Sequence, residues 1–358
     1  MPMPRITAKL DLPARRSAME REPRVAVIGA GAWGTALANL AARNSAKVML
    51  VARDAAHAAE MAATGVNARR LPGVLLASNI QPTDDTQHIE DADIVLLAAP
   101  TQALRGLCEK FAPHLSAAAS VIICAKGIER SSGLFVSEVV GEILPENPLA
   151  VLSGPSFATD VARGLPTAVT LAAAEVERAR ALAHVLAAPW FRLYHSTDVR
   201  GVEIGGAAKN VLAIANGIAA GRELGASAGA AVIARGFAEL SRFGRAFGAH
   251  HATLMGLSGL GDLVLTCTSA QSRNFSLGLA LGRGVSLEAF LAGGQLAEGI
   301  YTCGVLVDHA YKKGVDMPIA KAVDAVLAGR IEIDAAIEAL LARPLKAEMA
   351  SAAEADEI

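Results

Sequence analysis

The sequence predicts an α/β chain in two parts: an N-terminal, doubly wound parallel sheet and an all-α C-terminal domain. Three observations predict it. Short β-branched runs alternate with helical patterns from Arg24 to about residue 197, as in a parallel sheet covered by helices on both faces. A glycine-rich turn follows the first of these runs. Past Thr197 the alternation stops, and segments rich in Ala, Leu and Gly continue to about residue 342.

Residues 1–23 carry several Arg with Pro and Asp but no apolar centre like that of a signal peptide, and they read as a flexible extension. Asp11, Glu20 and Glu22 count against an organelle address. Val25 to Ile28 then form a strand, Gly29, Gly31 and Gly34 spell G-x-G-x-x-G, and Thr35 to Ala42 continue as small helix formers. Gly29 permits the tight turn, Gly31 lets a pyrophosphate approach the backbone, and Gly34 lets the helix lie close on the sheet. The helix N-terminus offers free N–H groups and positive dipole to the phosphates. Strand before and helix after point to a Rossmann-type dinucleotide site; the competing reading is a tight turn without a ligand.

Lys47 to Ala52 form the second strand, ending on Arg53-Asp54. An acidic residue there receives the adenosine ribose hydroxyls of NAD, whereas a guanidinium suits the 2′-phosphate of NADP. Arg53 and Asp54 pull in opposite directions. Asp93–Ala99, stopped by Pro100, Ser120–Ala125, followed by Lys126-Gly127, and Leu149–Leu152, opening into Ser153-Gly-Pro-Ser-Phe-Ala158, supply three more strands. Ligands gather beyond the carboxyl ends of such strands. The turns at Gly29–Gly34, Pro100, Lys126 and Gly154–Ser156 are therefore expected to line one crevice. Pro166–Leu171 and Phe191–His195 add strands at the sheet edge.

The expected division is residues 1–23 as extension, 24–197 as NAD(P)-binding domain, 198–343 as helical catalytic domain and 344–358 as a disordered polar tail. A chain of 358 residues, 53% apolar, is long enough for two cores. Aromatics are 4% and net charge is −2 without a basic block, which excludes a nucleic-acid footprint. Four scattered cysteines imply buried thiols in a reducing, cytoplasmic compartment, not a disulfide framework or a zinc site. No apolar run approaches the ~18 residues of a membrane span, and no metal-binding spacing occurs.

Three stretches place polar residues among small ones. Glu203 to Ala213 reads as a helix carrying Lys209 and Asn210 on an apolar body. Burial there lowers a lysine's pKa toward neutrality, as a proton donor or acceptor requires. Asp262 follows a glycine-rich turn, where it caps a helix, orients a lysine or holds a substrate hydroxyl. Ser272-Arg273-Asn274 is a compact donor cluster suited to an anion such as phosphate. Each also has a purely structural reading.

Together these motifs resemble the bacterial type of NAD(P)-dependent glycerol-3-phosphate dehydrogenase. The resemblance runs from about Arg24 to Arg343. It rests on IGAGAWGTALA (28–38), Ala125-Lys126-Gly127, SGPSFA (153–158), GLPTAV (164–169), GGAAKNVLAIANG (205–217), GLSGLGDLVLTC (256–267), QSRN (271–274), GQLAEG (294–299) and MPI (317–319). It implies that Lys209 is the proton acceptor in the oxidising direction. It implies substrate contacts from Lys126, Gly154, Ser156, Lys209, Asp262, Ser272, Arg273 and Asn274. Contacts to NADP(H) or NAD(H) are implied for Gly29, Gly31, Ala32, Trp33, Gly34, Arg53, Lys126, Ala158, Arg273, Leu296 and Glu298. Ala32 stands where many members have serine, and Leu296 replaces a common valine. The implied reaction is reversible reduction of dihydroxyacetone phosphate to sn-glycerol 3-phosphate, feeding glycerophospholipid synthesis. The Ala-rich helical domain suits a homodimer. A related dehydrogenase of hydroxyacids or sugar acids and a non-catalytic NADPH sensor are the competing readings.

Overall fold

The structure is a computed structural model describing residues 22–294 and 296–344. The expected extension up to residue 21 and the expected tail from residue 345 lie outside the described residues. Eight strands form one sheet: β1 (Arg24–Ile28), β2 (Lys47–Val51), β3 (Ile80–Thr83), β4 (Ile94–Leu97), β5 (Ser120–Ile123), β6 (Leu149–Ser153), β7 (Thr167–Ala173) and β8 (Phe191–Ser196). Their order is β3-β2-β1-β4-β5-β6-β7-β8. The helices between them are α1 (Ala32–Ala41), α2 (Ala55–Thr64), α3 (Leu104–Phe111), α4 (Val136–Ile143), α5 (Ala158–Ala162) and α6 (Val176–Leu186).

Alternate residues of each central strand enter different cores. Val25 and Val27 pack with Leu37, Leu50 and Leu96, while Ala26 and Ile28 pack with Val95, Leu97 and Val121. Both faces are covered, so the strands read as unbroken apolar runs.

Two features differ from the sequence expectation. β3 has no apolar run: its residues are Ile80-Gln-Pro-Thr, and a proline is tolerated because the strand is at the edge. The sheet is also parallel only through six strands, since β7 runs antiparallel to β6 and β8 then parallel to β7. The five residues of α5 rise only ~7.5 Å at 1.5 Å per residue. That is too short to return the chain along a strand, so β7 starts from the end where β6 finished. The eleven residues of α6 do span that length, and β8 is parallel.

From Val199 onward the described chain is helical: α7 (Val199–Gly221), α8 (Ala226–Ala246), α9 (His251–Met255), a π-type turn (Leu257–Gly261), α10 (Asp262–Cys267), α11 (Arg273–Gly282), α12 (Leu287–Ala292), α13 (Gly299–Lys312), α14 (Pro318–Leu327) and α15 (Ile333–Leu341). Asp198 caps α7, accepting from Gly201 N at 2.8 Å, and its other oxygen accepts from His250 N at 2.8 Å. α7 is buried almost from end to end and forms the axis of this half.

Glycines set its closest crossing. A Cβ on Gly217 would lie 2.2 Å from Phe275 O, and one on Gly278 would lie 2.1 Å from Ile214 O. Gly221 and Gly282 repeat the contact one turn along. The two backbones thus approach as small-residue helix faces allow, and α11 is held in a fixed register on α7. No helix among the described residues is long and apolar enough to cross a membrane.

Candidate active site

A buried carboxylate lies at the meeting of sheet and helices. The π-type turn delivers Asp262 as the first residue of α10, 1% exposed. Its carboxylate does not cap that helix. Oδ1 lies 2.6 Å from Lys209 Nζ and Oδ2 lies 2.8 Å from Lys126 Nζ. Lys126 follows β5 and also donates to Gly154 O at 3.0 Å, which additionally accepts from Ser156 Oγ at 3.1 Å. Lys209 comes from the middle of α7 and donates to Thr266 Oγ1 at 2.9 Å. Thr266 in turn donates to Asp262 Oδ1 at 3.3 Å. Asp262 and Thr266 are four residues apart, so one face of α10 presents both.

Glycines make room for this triad. A Cβ on Gly206 would meet Ser153 Oγ at 2.8 Å and the Lys126 stem at 3.4 Å. A Cβ on Gly205 would meet Ser258 O at 2.4 Å. The Gly-Gly step thus seats both the lysine turn and the π-type turn against α7.

Electrostatics follow from the geometry. Burial pushes the Lys209 ammonium down to about 8, although Asp262 beside it pulls the other way. Burial pushes the Asp262 carboxyl up, but the Lys126 and Lys209 ammoniums outweigh it and hold it below its usual range. Two cations share one anion, leaving net positive charge where an anionic oxygen would be stabilised.

The glycine-rich turn has the shape expected for a dinucleotide. Gly29 adopts φ +113°, and a Cβ on Gly34 would lie 1.9 Å from Gly29 O. Gly31 meets nothing within 4 Å, so its backbone face is open. Ala32 and Trp33 begin α1, and the Trp33 indole N–H is buried without a hydrogen-bond partner among the described residues. Across the crevice, Glu298 Oε1 accepts from Thr101 N at 3.3 Å, after the Pro100 turn. Glu298 Oε2 is buried without a hydrogen-bond partner among the described residues, and burial raises this carboxyl's pKa despite the Thr101 hydrogen bonds. Leu296 lies half-buried two residues before it, and Ala158 opens α5. An open backbone cradle with two unpartnered polar atoms fits a nicotinamide dinucleotide.

The donor cluster divides. Ser272 caps α11, accepting from Phe275 N at 3.2 Å. Asn274 donates to Asn210 Oδ1 at 2.9 Å and accepts from Gly299 N at 2.9 Å. Asn210 itself donates to Lys126 O at 2.9 Å. Arg273 alone of the three is exposed, with no hydrogen bond or ion pair among the described residues. An amide chain therefore runs from the lysine turn through α7 and α11 to the start of α13. The sequence reading gave no role to Thr266, Asn210 or Thr101. The four-residue spacing from Asp262 was a signal for Thr266, whereas Thr101 meets Glu298 only through tertiary folding.

A family model described as NAD-dependent glycerol-3-phosphate dehydrogenase N-terminus matches residues 24–179. The corresponding C-terminus model matches residues 198–338. A Beijerinckia indica protein named as an NAD(P)+ glycerol-3-phosphate dehydrogenase is 65% identical over 333 residues, 93% of this chain and 99% of its own. A Bradyrhizobium protein of the same name is 60% identical over 90% of this chain and 98% of its own. The crystal structure of a Coxiella burnetii glycerol-3-phosphate dehydrogenase superposes with a TM-score of 0.86 at 40% identity, covering 90% of this chain and 99% of that one.

Proposed function

The chain belongs to the NAD-dependent glycerol-3-phosphate dehydrogenase family, and on that premise we propose how its own residues carry out the reaction. The reaction is the reversible, NAD(P)H-dependent reduction of dihydroxyacetone phosphate to sn-glycerol 3-phosphate, a precursor of glycerophospholipids. One observation carries the reading: a single buried carboxylate, Asp262, holds two lysine ammoniums at 2.6 and 2.8 Å beside the dinucleotide crevice.

Residues 24–197 hold the cofactor and 198–343 close over it. Gly29, Gly31, Ala32, Trp33 and Gly34 cradle the pyrophosphate, with Arg53, Ala158, Leu296 and Glu298 along the same crevice. A bound reduced nicotinamide supplies the hydride. Gly154, Ser156 and the Ser272-Arg273-Asn274 corner receive the substrate, and the Arg273 guanidinium takes its phosphate. Lys126 and Lys209 point their ammoniums at the ketone oxygen, and Lys209 gives up its proton as alkoxide character grows. Positive charge placed where negative charge develops stabilises the transition state more than the ground state. In the reverse direction the neutral Lys209 amine takes the hydroxyl proton, with Asp262 keeping its orientation. Homodimerisation and a cytoplasmic location belong to this proposal, the first supported by the exposed alanines of α8 and the second by the buried thiols.

The test is a spectrophotometric assay of purified protein with dihydroxyacetone phosphate and either NADPH or NADH. Substrate-dependent oxidation of the cofactor is the expected result. Binding of cofactor with no oxidation would overturn the reading and favour a cofactor sensor. Turnover confined to hydroxyacids would favour the related dehydrogenase.

A further inference from the structure

The residue at the adenosine end of the crevice that has the right charge to read a ribose is already engaged by other groups. Asp54 follows β2 by three residues, near the place where NAD-binding folds set an acid against the 2′- and 3′-hydroxyls. Here Asp54 is the N-cap of α2, and its Oδ1 accepts from His57 N at 2.7 Å. The same oxygen lies 3.4 Å from Arg69 Nη1. With Oδ1 committed to the cap and to a guanidinium, the two-oxygen grip on a ribose diol is lost.

Arg69 is delivered by a loop that is tied to the cofactor turn. Asn67 in this loop is wholly buried. Its Nδ2 donates to Ala30 O at 3.0 Å and to Thr35 Oγ1 at 2.7 Å. Its Oδ1 pairs with His57 Nε2 at 2.9 Å and accepts from Arg70 N at 3.2 Å. A buried amide with all these partners has one orientation. Arg69 Nε is held by Glu60 of α2 at 2.7 Å. Arg53 is exposed at the end of β2, with no hydrogen bond or ion pair among the described residues.

We propose that Arg69, anchored through Asn67 and Glu60, is a specificity-determining positioning residue: it neutralises Asp54, leaves Arg53 as the reader of the adenosine ribose, and so biases the chain toward NADP(H). This rests on the dinucleotide reading above. Charge-assisted hydrogen bonds from a guanidinium to a 2′-phosphate supply the preference, and a paired Asp54 no longer opposes it.

Equilibrium binding of NADPH and NADH, followed by nicotinamide fluorescence, tests this alongside binding of adenosine 2′,5′-bisphosphate and 5′-AMP. The wild type is expected to bind NADPH and the bisphosphate at least tenfold tighter than their unphosphorylated counterparts. Arg69→Gln releases Asp54, so the ratio of NADH to NADPH dissociation constants should fall about tenfold. Arg69→Gln combined with Asp54→Asn should restore that ratio, because asparagine keeps the helix cap but not the charge. An Arg69→Gln ratio within twofold of wild type, or no rescue by Asp54→Asn, would overturn the proposal. If the wild type binds neither dinucleotide nor bisphosphate, the dinucleotide reading itself fails.

Discussion

In the proposed mechanism Lys209 is the residue on which the chemistry turns. Its pKa is lowered by burial to about 8, so near neutral pH the ammonium needed for ketone reduction predominates. Reduction, measured as kcat/KM against pH, is expected to be flat below about 8 and to fall above it. Oxidation of glycerol 3-phosphate should show the opposite limb, rising through the same pH. Lys209→Ala should lower turnover in both directions by about 10² or more, while the dissociation constant for NADPH stays near that of the wild type. Asp262→Asn leaves the buried Lys209 ammonium and the half-buried Lys126 ammonium without their shared anion. The apparent pKa of reduction should then move below 8, and removing one partner of a buried pair should cost about 3–5 kcal/mol of stability. A titration of activity and a urea melt check these two outcomes; an unmoved pKa would mean that Asp262 does not set the charge of Lys209. Lys209 and Asp262 stood out in the sequence because charge among small apolar residues is unusual. That Asp262 bridges two lysines did not, because Lys126, Lys209 and Asp262 are joined only when β5, α7 and α10 meet.

At the scale of elements, the contact of α7 with α11 places the proposed substrate corner. Gly217 and Gly221 face Gly278 and Gly282 with no room for a Cβ. The same crossing brings Asn274 to Asn210 at 2.9 Å. Gly278→Ala is expected to push the helices apart and cost about 1–3 kcal/mol, read as a lower urea midpoint. It should also raise the KM for dihydroxyacetone phosphate more than that for NADPH, since it disturbs α11 and not the glycine-rich turn. Equal effects on both would mean that α11 does not carry the phosphate corner. Most elements were legible: the central strands as β-branched runs, and α1 from its glycines. β3 was not, because an edge strand carrying Pro82 buries too little to need an apolar run. The reversal at β7 was not legible either, because direction depends on how far the short α5 can carry the chain.

Across the whole molecule, two buried carboxylates make stability depend on pH. Burial raises Glu203 and Glu239 to about 7, against an ordinary 4.5. Glu203 on α7 accepts from Ser137 N of α4 at 2.7 Å, joining helical half to sheet half. Glu239 on α8 accepts from Ile319 N and Ala320 N at the start of α14. Each is raised in the folded state, so its stabilising contribution is complete below 4.5 and is lost as pH rises through about 7. Glu239→Gln should flatten the decline in urea midpoint between pH 5 and 8; a slope equal to that of the wild type would mean that Glu239 is not its source.

By itself the sequence determined the two-part organisation, the glycine cradle and the identity of the residues able to carry charge into a core. These depend on local periodicity, backbone sterics and composition, which act over a few neighbouring residues. Tertiary structure alone decided which charges meet. It set Asp262 between two lysines instead of at a helix cap, tied Asn274 into an amide chain, and bound Asp54 to α2 and Arg69. Those outcomes depend on distances between residues far apart in the chain, and packing of backbone against backbone sets them.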